Sequence, residues 1–170
     1  MRRLILFRHA KTEARPAGVE DFDRVLVERG RADSVLMGGV IAAAGFAPDL
    51  ALVSPAARAR QTWELAAPAF PPARIDFRPG LYDATADEVA GELEADTDDA
   101  ETVIVVGHNP SLQELAVNLL IESSGSARDI EALSAGFPTA AAAVFVSDAA
   151  GRWGLEALFH ARAWRGADTG

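Results

Sequence analysis

The chain has 170 residues, no cysteine and a formal net charge of −9. That length buries a core without disulfides or a structural metal, and the missing cysteines exclude thiolate metal sites and cysteine-nucleophile phosphatases. No segment approaches the roughly 20 apolar residues of a membrane span, and no basic stripe suits nucleic acid. The N-terminal apolar run is too short for a signal peptide, so a cytoplasmic protein without membrane or nucleic-acid partners is expected.

Leu4-Ile5-Leu6-Phe7 is a continuous apolar run, the pattern of a strand buried on both faces, and it delivers Arg8 and His9 at its carboxyl end. A polar, irregular stretch follows from Lys11 to Arg24. The spacing of Leu36, Val40 and Ala43 predicts a helix over about Glu28 to Ala44 with those residues on its apolar face. Gly45 suits its C-cap and Pro48 forbids continuation. Leu50 to Val53 reads as a second buried strand. Ser54-Pro55 then reads as an N-cap with proline at the first helical position, opening a helix to about Ala66. A link containing Pro68, Pro71 and Pro72 leads to a candidate strand at Ile75 to Arg78.

The negative charge is concentrated beyond that point, since Asp83 to Glu101 holds nine carboxylates and no lysine or arginine. Ala86, Val89, Ala90 and Leu93 stand at helical spacing there, so the carboxylates coat the solvent face of an amphipathic helix. The functional alternative is an acidic surface that docks a basic partner or repels polyanions. Val103 to Val106 is a third buried strand, ending in Gly107-His108. Asn109-Pro110 repeats the N-cap-plus-proline pattern before a helix striped by Leu112, Leu115, Ala116, Leu119 and Leu120. A small-residue loop spans Ser123 to Ser126, and Ala141 to Val146 is another buried strand. Gly151 marks a turn into a final, antiparallel strand, where Trp153, Leu155, Ala157, Phe159 and Ala161 alternate with other residues. With no repeat and no linker, the alternation of strands and helices argues for a single α/β domain over residues 1–170.

Open parallel sheets build their sites just beyond the carboxyl ends of their strands. Arg8 and His9, Ser54 with Arg58 one turn further on, and His108 with Asn109 all fall at such ends. Two helix N-termini supply backbone donors and a dipole for an anion, and two arginines can clamp phosphate oxygens. A neutral imidazole can attack phosphorus, and a protonated one can offset developing charge. Lys11, the single lysine among 16 basic residues, suggests a position that prefers a compact ammonium. His160 lies in the alternating final strand and reads as structural. Neither a Gly-x-x-x-x-Gly-Lys-Ser/Thr loop nor a Gly-x-Gly-x-x-Gly follows a strand. Asp96-Thr97-Asp98 lacks a preceding apolar strand, so an aspartyl-phosphate mechanism has little support. Arginines beside His9 and His108 would repel a cation, so no metal and no other cofactor is expected.

Arg8-His9-Ala10, the run Ser54-Pro55-Ala56-Ala57-Arg58-Ala59-Arg60-Gln61-Thr62, and Gly107-His108-Asn109-Pro110 together resemble the histidine phosphatase, or phosphoglycerate mutase-like, superfamily. The likeness is closer to its bacterial phosphohistidine phosphatase (SixA-like) branch. Arg8-His9-Ala10-Lys11 looks like that branch's opening, and Arg24 to Gly30 looks like its Arg-Pro-Leu-Thr-x-x-Gly element. Phe137-Pro138-Thr139-Ala140 resembles the segment before its fifth strand. Val25 and Val27 depart from the proline and threonine of the second element, and Val27 removes a helix N-cap.

The resemblance implies a three-layer α/β/α fold around a mostly parallel sheet. It implies that His9 attacks phosphorus and carries a transient phosphohistidine, that Arg8 and Arg58 hold the phosphoryl oxygens, and that His108 stabilises the in-line transition state. It assigns Lys11 and Asn109 further phosphate contacts and requires no metal. Asp83 stands about where superfamily members that cleave sugar or alkyl phosphates carry a general acid, but it belongs equally well to the solvated acidic helix. Three functions follow: a phosphatase of protein phosphohistidine, with a histidine-containing phosphotransfer type of protein as partner; a small-molecule phosphomonoesterase or mutase using Asp83; and a non-catalytic phosphate-binding module. The chain has no long insertion to roof the site, which favours a phosphorylated protein over an enclosed metabolite.

Overall fold

The computed structural model describes residues 1–95, 97 and 99–166. Its strands are β1 (Arg3–Arg8), β2 (Leu50–Val53), β3 (Arg74–Phe77), β4 (Thr102–Gly107), β5 (Ala142–Ser147) and β6 (Trp153–Phe159). The helices are α1 (Glu28–Ala43), α2 (Ala57–Ala66), α3 (Ala86–Glu94), α4 (Ser111–Glu122) and α5 (Ala127–Ser134). One sheet runs in the order β3-β2-β4-β1-β5-β6, with β1 to β4 mutually parallel and β5 and β6 antiparallel.

The unbroken apolar runs have a direct cause. Leu4, Leu6, Leu52, Val103 and Val105 face a core formed with α3, α4 and α5, while Ile5, Phe7, Ala51, Val53, Ile104 and Val106 face another formed with α1 and α2. Successive side chains point to opposite faces, and helices cover both, so every position must be apolar. This is the α/β/α sandwich expected of a phosphoglycerate mutase-like chain. Edge strand β3 begins one residue before the expected segment, and its Ile75 and Phe77 lie exposed. Among the described residues no helix is long and apolar enough to cross a membrane.

The helices depart from the sequence reading in instructive ways. Helix α1 has the expected extent, and Gly45 follows it with φ 87°, its N–H donating to the Ala42 carbonyl. Its core face, however, is Gly30, Ser34, Met37, Gly38 and Ile41; Leu36 and Val40 are half-buried and Ala43 is exposed. Close approach to α2 is the reason: a Cβ at Gly38 would lie 2.5 Å from the Ala66 carbonyl oxygen, so a small residue must face the neighbour. As Val27 implied, α1 has no side-chain N-cap. Neither serine nor asparagine caps at the Pro-containing starts either. Helix α2 begins at Ala57 and α4 at Ser111, both without a side-chain cap, and the Asn109–Pro110 peptide is cis. Ser54 and Asn109 are engaged elsewhere, at the site.

The acidic helix α3 is as expected, closed by a capping box in which the Glu88 N–H donates to Thr85 Oγ1 and the Thr85 N–H to Glu88. Asp83 lies outside it, exposed in the preceding turn with φ 55°. Helix α5 follows the small-residue loop and was not anticipated; its Ser126 N-cap accepts the Asp129 N–H at 3.1 Å. The final strand is antiparallel as expected but ends at Phe159, leaving Ala161 in a short 3-10 turn. Asp96 and Asp98 lie outside the described residues.

Candidate active site

Strands β1 and β4 pair in register Arg8 to Gly107, which brings the next residues of each, His9 and His108, together. Their ring centroids are 5.1 Å apart. The His9 N–H donates to the Gly107 carbonyl at 3.0 Å, and the Ser54 N–H donates to the Val106 carbonyl at 3.0 Å. Three strand ends are thereby stitched into one crevice. Arg58 enters it from the first turn of α2 and is buried.

His9 has its orientation and tautomer set by the backbone. Its Nδ1 lies 2.8 Å from the Ala10 carbonyl, an acceptor only, so Nδ1 carries the proton and Nε2 keeps its lone pair. The following turn is tied to α2 through Thr62, whose hydroxyl accepts from the Ala10 N–H at 3.0 Å and donates to the Arg58 carbonyl at 2.7 Å. Burial, with Arg58, Arg8 and Arg24 nearby, outweighs the Ala10 contact and pushes His9 down to about 4. At neutral pH the ring is an uncharged nucleophile.

His108 Nε2 lies 2.8 Å from the Ser54 hydroxyl, and its Nδ1 is buried with no partner among the described residues. In the tautomer in which Ser54 donates to Nε2, Nδ1 carries the proton and is the ring nitrogen left without a partner. Burial, then His9 and Arg58, push His108 to about 3, against the raising effect of Asp21. Both imidazoles are therefore neutral, and the positive charge comes from arginine.

Arg8 donates through one guanidinium nitrogen to the Phe137 carbonyl at 2.8 Å, and the Asn109 side-chain amide donates to the same carbonyl at 3.0 Å. Arg58 donates to the Asp21 carbonyl at 2.7 Å and to Asp21 Oδ2 at 3.0 Å. The Nε of each arginine is buried without a hydrogen-bond partner among the described residues. The crevice thus offers one lone pair for attack, an N–H on the second imidazole, and guanidinium groups for phosphoryl oxygens.

The structure brings Arg8, His9, Arg58, His108 and Asn109 together. It does not bring in Lys11, which is exposed and whose ammonium makes no hydrogen bond or ion pair among the described residues; only its carbonyl is used, accepting from the Val27 N–H. Exposed Asp83 is likewise outside the cluster. Its neighbour Tyr82 takes the inner position instead, edge-on to His108 at 5.8 Å and beneath the Arg58 guanidinium at 5.8 Å. The Tyr82 hydroxyl donates to Asp21 Oδ2 at 3.2 Å, and Arg24 donates to Asp21 Oδ1 at 2.8 Å. Burial alone would raise the Asp21 carboxyl, but Arg58 and Arg24, with the Arg24 and Tyr82 hydrogen bonds, hold it below its ordinary value. Asp21 and Tyr82 were missed in the sequence. The one available signal was that Tyr82, the single tyrosine, adjoins the candidate Asp83.

Residues 4–103 match the family model of the histidine phosphatase superfamily (branch 1). An uncharacterized protein of Mycobacterium tuberculosis is 41% identical over 147 residues, covering 86% of this chain and 89% of its own. A crystal structure of a protein proposed to be the phosphohistidine phosphatase SixA of Agrobacterium tumefaciens superimposes with a TM-score of 0.83 at 32% identity, covering 94% of this chain and 97% of that one. A similarly described protein from Nakamurella gives a TM-score of 0.81 at 28% identity, covering 94% and 95%.

Proposed function

The chain belongs to the histidine phosphatase superfamily, and we propose that this phosphatase hydrolyses phosphohistidine on other proteins through a transient phospho-His9. His9 Nε2 attacks phosphorus as the phosphorus–nitrogen bond of the substrate breaks, and the substrate histidine leaves as neutral imidazole. A water oxygen then attacks the phosphorus of phospho-His9. The bond to Nε2 breaks, inorganic phosphate and a proton are released, and the neutral His9 ring returns. Arg8 and Arg58 carry the phosphoryl oxygens through both steps, and His108 donates to them from Nδ1. Asn109 fixes the Phe137 carbonyl against which Arg8 is braced.

One observation carries the choice of substrate. The carboxylate at the site, Asp21, is held ionised by two arginines and has no proton to give. An alkoxide leaving group needs a positioned acid, whereas a protonated phosphoimidazole departs without one. The likeness to the Agrobacterium and Nakamurella proteins supports the same reading. A phosphotransfer-type protein in the cytoplasm, within signal transduction, is the partner and setting we infer. The competing reading, a small-molecule phosphomonoesterase or mutase, draws on the position of Asp83 next to Tyr82, one ring contact from His108.

Phosphate release from a phosphohistidine protein and from a generic phosphomonoester, in chelator, separates the readings. The expected result is preference for phosphohistidine, loss of all turnover in His9→Ala, and no change in Asp83→Asn. Strong phosphomonoester turnover that collapses in Asp83→Asn would make this a metabolite enzyme. Tight phosphoprotein binding with no release would make it a binding module.

A further inference from the structure

A second cavity, of about 430 Å³, adjoins the active site through Arg8 and Asn109 without including His9, Arg58 or His108. Its other walls are Gln113 on α4, the end of α5 with the turn through Phe137, and the turn after β6 that carries His160 and Arg162. Among the described residues no aspartate or glutamate lines it, in a chain whose net charge is −9. The sequence reading left His160 as structural; the fold turns it into this cavity.

The two arginines here lack the carboxylate that several arginines elsewhere hold. Arg3, Arg24, Arg58 and Arg165 each hold a carboxylate at 2.7–3.0 Å. Arg8 and Arg162 hold none among the described residues. His160 Nε2 and Arg8 Nε are both buried without a hydrogen-bond partner among those residues. A buried polar atom without a partner is destabilising, and a matching ligand group relieves it. Burial and then Arg162 lower the His160 pKa, so the ring serves as a neutral N–H donor while Arg162 supplies the charge.

We propose that this cleft is a specificity subsite that seats an acidic side chain of the phosphoprotein, next to its phosphohistidine, with Arg162 and His160 as the recognising groups. The substrate in this statement rests on the phosphohistidine reading above; the charge of the cleft does not. A carboxylate fits better than a second phosphate, because Arg8 is committed to the phosphoryl group and Arg162 alone matches a single negative charge. A side chain on a protein surface fits better than a free metabolite, because the end of α5 contributes small, exposed residues and the cleft stays open to solvent. The acidic remainder of the chain repels an acidic partner, so a carboxylate is welcome only where Arg162 receives it.

The test uses phosphohistidine peptides that differ only in one glutamate or glutamine, moved through positions flanking the phosphohistidine. For the best-placed position, wild-type kcat/KM should favour the glutamate peptide about tenfold, one charge-assisted hydrogen bond in magnitude. Arg162→Ala should erase that preference and leave the glutamine peptide within about twofold of wild type, and His160→Ala should reduce the preference part of the way. Equal kcat/KM for glutamate and glutamine at every position would overturn the subsite while leaving the phosphohistidine reading intact. Should no peptide be turned over, the phosphohistidine reading fails and the cleft is judged separately. Titration of the unphosphorylated peptides, followed by the ring resonances of the three histidines, should then move His160 with the glutamate peptide and not with the glutamine one. No movement, or equal movement with free glutarate at the same concentration, would overturn it.

Discussion

The two site histidines make stability depend on pH in a direction that can be worked out. His9 falls from 6.5 to about 4 on folding, chiefly by burial, and His108 falls to about 3 for the same leading reason. For His9 this corresponds to about 3 kcal/mol in favour of the neutral ring. In the unfolded chain both rings titrate near 6.5. As pH drops below that value, the unfolded chain takes up protons that the folded chain refuses. The fold's stability is therefore intact above about pH 6.5 and erodes as pH falls toward the folded values. At pH 4.5 the loss from His9 alone is about 2.5 kcal/mol, a sizeable part of a typical total of about 5–15 kcal/mol. Asp21, whose folded pKa is lowered, acts in the same direction but mainly at lower pH, so the window from pH 7 to 4.5 reports the histidines.

Urea unfolding at pH 7, 5.5 and 4.5, in phosphate-free buffer, measures this. Wild type should lose several kcal/mol across the window, and His9→Gln should lose about 2.5 kcal/mol less. Because His9 itself helps depress His108, a variant with both rings replaced should be flatter than the simple difference suggests. Wild type and His9→Gln falling in parallel would refute the burial argument. The catalytic counterpart is the acid limb of kcat/KM. Once the substrate's own ionisation is removed, it should bend near 4 rather than near 6.5, since His9 Nε2 stays unprotonated down to that pH.

Two further changes probe the supports of the site. Ser54→Ala removes the hydroxyl that meets His108 Nε2 at 2.8 Å; kcat should fall about tenfold with KM little changed, since a free ring loses its tautomer and aim. An unchanged kcat would mean that Ser54 does not orient His108. Gly38→Ala places a Cβ 2.5 Å from the Ala66 carbonyl oxygen, a backbone atom that cannot turn aside. The overlap should destabilise by about 1–3 kcal/mol despite alanine's better helix propensity, read as a lower urea midpoint at unchanged slope. A neutral or stabilising Gly38→Ala would contradict the close approach of α1 to α2.

What could be read from the sequence, and what could not, divides along a physical line. Strands β1, β2 and β4 were legible because burial on both faces leaves no room for a polar residue, and their ends could be located because polar side chains return abruptly at Arg8, Ser54 and His108. That located His9, Arg58 and His108 before any contact was known. The features that were not legible all depend on contacts between distant segments. Periodicity put Leu36 and Val40 toward the core because it weighs hydrophobicity, whereas the α1–α2 contact is limited by distance and selects Gly38. Ser54 and Asn109 match the N-cap pattern, yet their polar groups go to His108 and to the Phe137 carbonyl, partners 54 and 28 residues away. Asp21 looked like one more acid in a polar loop; only the fold sets it against Arg58, 37 residues on, and Tyr82, 61 residues on. These long-range contacts also bear on the choice of leaving group. The carboxylate that sequence position suggested, Asp83, stands exposed, while the one that reaches the site is clamped between two arginines and holds no proton. A chain read only by its motifs therefore points to phosphoryl transfer at His9, and in the function proposed here the ion pairs around Asp21 are the reason to favour leaving groups that need no acid.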